Sequence, residues 1–442
     1  METVDTRAPL VPGPPMTLRR TLQVARDPFT LIDACTHTYG ETYSIGGTLG
    51  IDVITSNLDA ARAVFSADPD TFEPFGAEIS HPLIGTHSIL LQSGNRHRAQ
   101  RKLLMPPFHG ARMRAYGEMI RDTTLRVGQS WQPGDVLNIT EVMQFISLEV
   151  IIRAIFGVTA PQRVEAFRLG IRKVVNTYSS PLAFFPFLRQ RLGGLGPWAR
   201  FQDAHSHLTT LIYDEMDRRS QTPPGEDILS LLMQMTYEDG SHLAKDEIRD
   251  HLITLLFAGH ETTAVTLSWA LDQLARHPEV SARLVEEIAA LGPNPSPEMI
   301  TSLPYLEAIC HESLRLFPVL PVVPRRTRVD FDMAGLLVPK GRSVGVSIWS
   351  IHRRPELYPE PNVWRPERFL ERSYGPNEFL PFGGGNRRCI GAAFALYEMK
   401  IVLATLVTHH PLQVTSPSPP RSIRTGVTMG PERVIKMKVE RR

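Results

Sequence analysis

Between Asp246 and Pro278 the chain reads as one uninterrupted helix whose middle, Leu252 to Ala258, is apolar on every side. A helix that is hydrophobic all round has to be buried. Asp246 is a good N-cap residue, and Pro278 stops the pattern just beyond Arg276. At 1.5 Å per residue the segment runs about 45 Å, enough to cross a whole domain. Helical patterns dominate from about Arg96 onward, and two more helices follow the long one, over Pro278 to Leu291 and Pro304 to Phe317.

The period then changes. Val344, Val346 and Ile348 alternate with Gly345, Ser347 and Trp349, and Ile435, Met437 and Val439 alternate with Lys436, Lys438 and Glu440, which predicts strands. Two β-rich runs flank Gly46 and Gly47 between Thr42 and Thr55, a hairpin signal. Ser416 to Pro420 reads as a surface loop, and no repeat or linker divides the chain. The expectation is therefore one large, mainly α domain with smaller β-sheets over 21–442, after a proline-rich leader over 1–20.

Bulk properties remove several classes. The 442 residues include 48 Lys plus Arg against 46 Asp plus Glu, a net charge of +2, so no broad basic field invites nucleic acid. Cys35, Cys310 and Cys389 are odd in number and far apart, which does not read as a disulfide framework and fits a reducing cytoplasm. Apolar runs such as Leu252 to Ala258 fall well short of the roughly 20 residues of a membrane span, so no transmembrane anchor is expected. Glu2, Asp5 and the prolines at 9, 12, 14 and 15 match no secretory signal.

The chemistry concentrates near the C-terminus. Phe382-Gly-Gly-Gly385-Asn-Arg387-Arg-Cys389-Ile-Gly391 precedes a helical run from Ala392 to about Thr408. A cysteine where a glycine-rich loop enters a helix has its thiolate favoured by the helix dipole and by uncovered backbone N–H groups, which suits a metal ligand. No second Cys or nearby His supplies zinc spacing. Phe, Gly, Arg, Cys and Gly at 382, 385, 387, 389 and 391 resemble the haem-binding signature of the cytochrome P450 superfamily, F-x-x-G-x-R-x-C-x-G. Chance would produce that match on the order of once in ten thousand such chains. The resemblance implies haem b with Cys389 as the iron's axial ligand, Phe382 in the cofactor loop and Arg387 on a haem propionate. An anionic sulfur pushes electron density through iron and favours O–O cleavage.

Other segments resemble the family in the same order. Glu312 and Arg315, neighbours on one helical face, look like its E-x-x-R pair, and Pro366-Glu367-Arg368-Phe369 like the element that completes a buried Glu-Arg-Arg cluster. His97 and Arg101, four residues apart in Gly94 to Lys102, resemble further propionate ligands, and Arg325 resembles the remaining one, with Arg326 and Arg328 as rivals.

In the long helix, Ala258-Gly259-His260-Glu261-Thr262-Thr263 breaks local rules. A mid-helix glycine costs about 1 kcal/mol relative to alanine. Close helix packing at Gly259, with Thr262 bonded back to a carbonyl, explains it structurally. The resemblance to the family's A/G-G-x-D/E-T-T element implies instead that Gly259 leaves room for dioxygen, that Thr262 hydrogen-bonds dioxygen or a water, and that Glu261 relays protons. His260 carries no expected role.

These resemblances imply a monooxygenase fed by a separate ferredoxin or flavodoxin with its reductase, docking near Arg96, Lys102 and Arg388. The expected substrate lining, Phe72 to Leu90, Phe184 to Trp198, Pro318 to Val323 and Gly426 to Met429, is mostly apolar and points to a terpenoid, fatty-acid-like chain or polyketide. Competing readings are a peroxide-driven hydroxylase or isomerase, and a helical protein that binds haem or ligand without turnover.

Overall fold

The computed structural model describes residues 9–15, 17–46, 50–108, 110–178, 188–190, 192–425 and 428–441. Glu2, Asp5, Gly47 and Gly426 lie outside them, as do residues 184–187 and 191 of the stretch Phe184 to Trp198. The chain divides into two compact units.

The first unit comprises residues through 75, 311–389 and 421–432. Its five-stranded sheet has the order Thr42–Ser44, Val53–Thr55, Ser343–Ser347, Val322–Thr327, Phe72–Glu73. The expected hairpin is present, with Thr42 opposite Thr55 and Ser44 opposite Val53. Ser343–Ser347 lies parallel to Val53–Thr55 and antiparallel to Val322–Thr327. Every residue of it is buried, because both faces are covered. Ile348, expected to continue this strand, instead opens the short helix Ile348–Ile351, whose first turn Ser347 caps by accepting from the Ser350 amide. Val53, Ala61, Val64, Phe72, Val344, Val346, Ile351, Tyr358 and Leu380 form the core. Phe72 is therefore a core residue, 5% exposed and packed edge-on against Phe331, and not part of a substrate lining. The expected leader ends early, since Thr17 caps the helix Leu18–Arg26.

The second unit, 76–310, 390–420 and 433 onward, is mainly helical. The long helix spans Lys245–Arg276, 32 residues. Ala244 takes the N-cap position, so Asp246 belongs to the first turn, where with Glu247 it faces the positive end of the dipole. The helix packs along Ile139–Phe156, and also against Ala392–His409 and Pro197–Ser220. Leu252 to Leu256 are buried as expected, whereas Phe257 is half-buried and Ala258 exposed, because one face of the helix is left uncovered there. Lys436–Val439 pairs with Val136–Asn138 and Leu412–Val414, its side chains alternating out and in. Ser416 to Ser418 turn three carbonyls onto the guanidinium of Arg276.

One described helix, Ala392–His409, is long and apolar enough to cross a membrane by composition, although no single apolar run reaches that length. More than half of it is buried inside the unit, as in a core helix.

That helix carries Glu398, fully buried. Ser147 faces it without closing a hydrogen bond, and no cation among the described residues compensates it, so burial pushes its carboxyl pKa up from 4.5 to about 8. Folding therefore takes up a proton here. The stability contribution is whole below about pH 4.5 and is lost as pH rises through about 8. Glu398→Gln, neutral and of equal size, is expected to stabilise the protein by roughly 3 kcal/mol at neutral pH and hardly at all near pH 4.5. Urea unfolding across that range checks it; an unchanged pH dependence contradicts it.

Candidate functional site: the cysteine loop and the long helix

In the first unit the loop at 382–389 is held by its own backbone and by the helix Leu58–Ser66. The Cys389 amide donates to the Phe382 carbonyl at 2.9 Å, closing the loop. Gly383 and Gly385 have φ of +67° and +65°, a conformation open to glycine. A Cβ on Gly384 would come 2.7 Å from the Phe65 ring, and one on Gly385 would overlap the Phe65 carbonyl oxygen. The glycines thus serve close approach to Phe65, a partner that no motif names. Gly385→Ala combines a left-handed φ with that overlap and is expected to cost at least about 2 kcal/mol and to lower haem content. Denaturant titration and absorbance per chain test this; wild-type values in both would refute it.

The three thiols differ. Cys35 and Cys310 are buried and Cys389 is exposed. Burial raises the Cys35 thiol pKa and pushes that of Cys310 up to about 12, so neither forms a thiolate readily. Of the three thiols, Cys389 alone is accessible. It lies two residues ahead of Gly391, the N-cap of Ala392–His409.

Strand geometry separates the three candidate arginines. Arg326 and Arg328 are exposed and stand 3.8 Å from Glu73 and 3.3 Å from Asp70. Arg325 points the other way, over the Phe65 ring, and bonds the Pro324 carbonyl. No carboxylate among the described residues pairs with it. Burial, and then the nearby Arg387, push its pKa down to about 10, and burial lowers that of Arg387 too. Two partly desolvated guanidiniums of like charge are suited to an anionic group such as a propionate. This sulfur donor and this cation pair fit a haem.

Behind the loop, Glu312 receives Arg315 through Nε at 2.6 Å and a second nitrogen at 2.8 Å, Arg368 Nε at 3.1 Å and the Arg365 amide at 2.8 Å. All three charged side chains are at most 1% exposed. His352 joins this cluster to the loop. Its Nδ1 meets the Arg315 carbonyl at 3.2 Å, and its Nε2 accepts from the Leu380 amide at 2.8 Å. Because an amide can only donate, Nε2 is unprotonated and Nδ1 carries the hydrogen. Burial holds His352 neutral by lowering its pKa well below the usual value. Sequence reasoning missed His352, which stands in no recognisable spacing.

In the second unit, His97 and Arg101 lie on the helix Gly94–Leu104. His97 is buried and Arg101 half-buried. Gln100 ties this helix to the long one by donating to Glu247 at 2.8 Å. Arg96 lies 3.8 Å from Glu247, and Lys102 2.8 Å from Glu238, so both already have a carboxylate partner.

On the long helix the missing side chain of Gly259 faces Ile151, where a Cβ would come within 3.0 Å of Cδ1. Close helix packing thus occupies the position of a side chain at residue 259. Thr262 donates to the Ala258 carbonyl at 2.7 Å, leaving its lone pairs to accept. Glu261 is half-buried beside it. His260 is buried with Nδ1 3.0 Å from the Leu256 carbonyl and its pKa lowered by burial.

Residues 10–438 match the family model for cytochrome P450. Over 439 residues the chain is 34% identical to cytochrome P450 138 of Mycobacterium tuberculosis, covering 96% of this chain and 94% of that one. Cytochrome P450 135B1 of the same species is 32% identical over 438 residues, covering 97% and 91%. Among solved structures, the retinoic acid-bound cyanobacterial CYP120A1 superposes with a TM-score of 0.83 at 24% identity, over 97% of this chain and 99% of that chain.

Proposed function

This chain belongs to the cytochrome P450 family and is a haem-thiolate monooxygenase, and from that premise we propose which residues do the work. Cys389 would supply the haem's sulfur ligand, from a loop that Phe382 helps to close. Arg325, Arg387, His97 and Arg101 would bind its propionates when haem is bound. The haem, in its b form, supplies reductive activation of dioxygen when bound, with an anionic sulfur favouring O–O cleavage.

Proton handling falls to Glu261 and Thr262. Glu261, half-buried, carries protons inward. Thr262, its hydrogen committed to Ala258, accepts from a water and so fixes where that water's proton can go. Gly259 serves this arrangement by letting the helix approach Ile151 closely.

Electrons and a hydrophobic substrate come from outside the chain. Our reading is a ferredoxin or flavodoxin donor in the cytoplasm, and a terpenoid, fatty-acid-like or polyketide substrate hydroxylated at unactivated carbon, within one functional domain over 21–442. With Arg96 and Lys102 already paired, Arg388, which is exposed, is the better docking cation of the three.

The observation that carries the proposal is the contrast between one exposed thiol in a tied loop and two buried ones. The absorption spectrum of the reduced, carbon monoxide-bound protein tests it, with a thiolate-type band expected. Turnover with peroxide alone that exceeds turnover with reductant, ferredoxin and oxygen would favour the peroxide-driven alternative and sink the roles of Glu261 and Thr262.

A further inference from the structure

The first unit holds a cation that the cofactor does not explain. Arg424 lies on the hairpin of Ser422–Thr425 and Thr428–Pro431, directly opposite Met429 and hence on the same face. Met429 is 1% exposed, and its amide donates to the Val319 carbonyl at 2.9 Å, which ties the hairpin to the segment after the helix Pro304–Leu316. On the same hairpin Arg421 pairs with Glu432 at 3.0 Å in the open. Arg424 is different. Its Nε is sealed from solvent with no acceptor, and no carboxylate among the described residues forms an ion pair with it. Burial lowers its pKa, and no charge among the described residues offsets that. A guanidinium kept in this state invites a carboxylate, whose two oxygens match its fork.

The segment leading away from Arg424 is apolar and ends at the cysteine loop. Val319, Val322 and Val323 are half-buried and Leu320 is exposed. Val323 comes within 3.7 Å of the Cβ position of Gly383. Four residues from Val319 to Val323 span at most about 14 Å. We propose that Arg424 anchors the carboxylate of a long hydrophobic acid, whose apolar body runs along Val319 to Val323 toward Cys389. This rests on the reading of Cys389 as the haem ligand. The acid is then oxidised at a carbon remote from its carboxylate, a C–H becoming C–OH. One atom of dioxygen enters the product and the other leaves as water, with two electrons from the redox partner and two protons.

The test titrates the holoprotein with a saturated long-chain fatty acid and with its primary amide, by calorimetry and by the haem absorption shift. The acid is expected to bind about ten- to a hundredfold tighter than the amide, the range of one charge-assisted contact. Arg424→Gln removes the preference without changing the carbon monoxide spectrum, and Arg424→Lys keeps part of it. Equal binding of acid and amide by the wild type, no binding of the acid, or a preference that survives in Arg424→Gln would overturn the proposal. Absence of the thiolate band would instead overturn the haem reading, while the calorimetric preference still reports on Arg424.

Discussion

Cys389→Ser is expected to abolish both the thiolate-type carbon monoxide band and substrate turnover, while leaving the fold intact. Cys389 is exposed, and the loop's closure uses its backbone amide, not its sulfur. The serine hydroxyl stays protonated at neutral pH and is a poor electron donor, so the electronic push of the sulfur anion is lost even where the pocket still takes up porphyrin. Cys310→Ser serves as the control for ligation: its thiol is buried with a pKa pushed up to about 12, so the band should survive in whatever fraction folds. A thiolate band that persists in Cys389→Ser and vanishes in Cys310→Ser would reverse the assignment. The measurement is one pair of spectra on reduced protein, with urea unfolding run alongside to show that lost turnover is not lost structure.

What the sequence made legible, and what it hid, follows from how each feature is encoded. The cysteine loop was readable because residue identity at fixed spacing is its whole signature. The long helix was readable from its apolar run, although periodicity alone could not show that Ala258 would face outward. Arg325 was preferred to Arg326 and Arg328 on resemblance alone, because a proline inside the run, Pro324, hides the strand that would separate them. Yet Val322–Thr327 pairs on both sides, with Pro324 opposite Gly345. Once that strand is known, the two-residue period separates Arg325 from its rivals at once. His352 and Phe65 were invisible, since their partners, Leu380 and Gly385, are distant in sequence and only the folded chain brings them together.

Glu312→Ala is expected to destabilise the protein by about 3–5 kcal/mol and to strip it of haem, because two buried guanidiniums share this one carboxylate as their counter-charge. With Glu312 gone, Arg315 and Arg368 keep neutral partners: the carbonyls of His352, Pro361 and Val363 and the Tyr358 ring for the first, and the carbonyls of Pro359, Glu360 and Val363 and the Tyr374 side chain for the second. Carbonyl dipoles do not replace a counter-charge, and the loss is a large part of the roughly 5–15 kcal/mol that holds a domain folded. Arg368→Met should cost less, since it leaves the two-point Glu312–Arg315 pair closed at 2.6 and 2.8 Å. The damage reaches the cofactor along a defined route. Arg315 fixes His352 through its carbonyl, His352 holds the Leu380 amide, and Leu380 stands two residues ahead of Phe382, whose carbonyl closes the loop on Cys389. His352→Phe should accordingly lower haem retention with a smaller loss of overall stability than Glu312→Ala. Urea titrations combined with haem per chain distinguish these outcomes, and a Glu312→Ala protein as stable and as fully loaded as the wild type would show that the cluster does not support the loop.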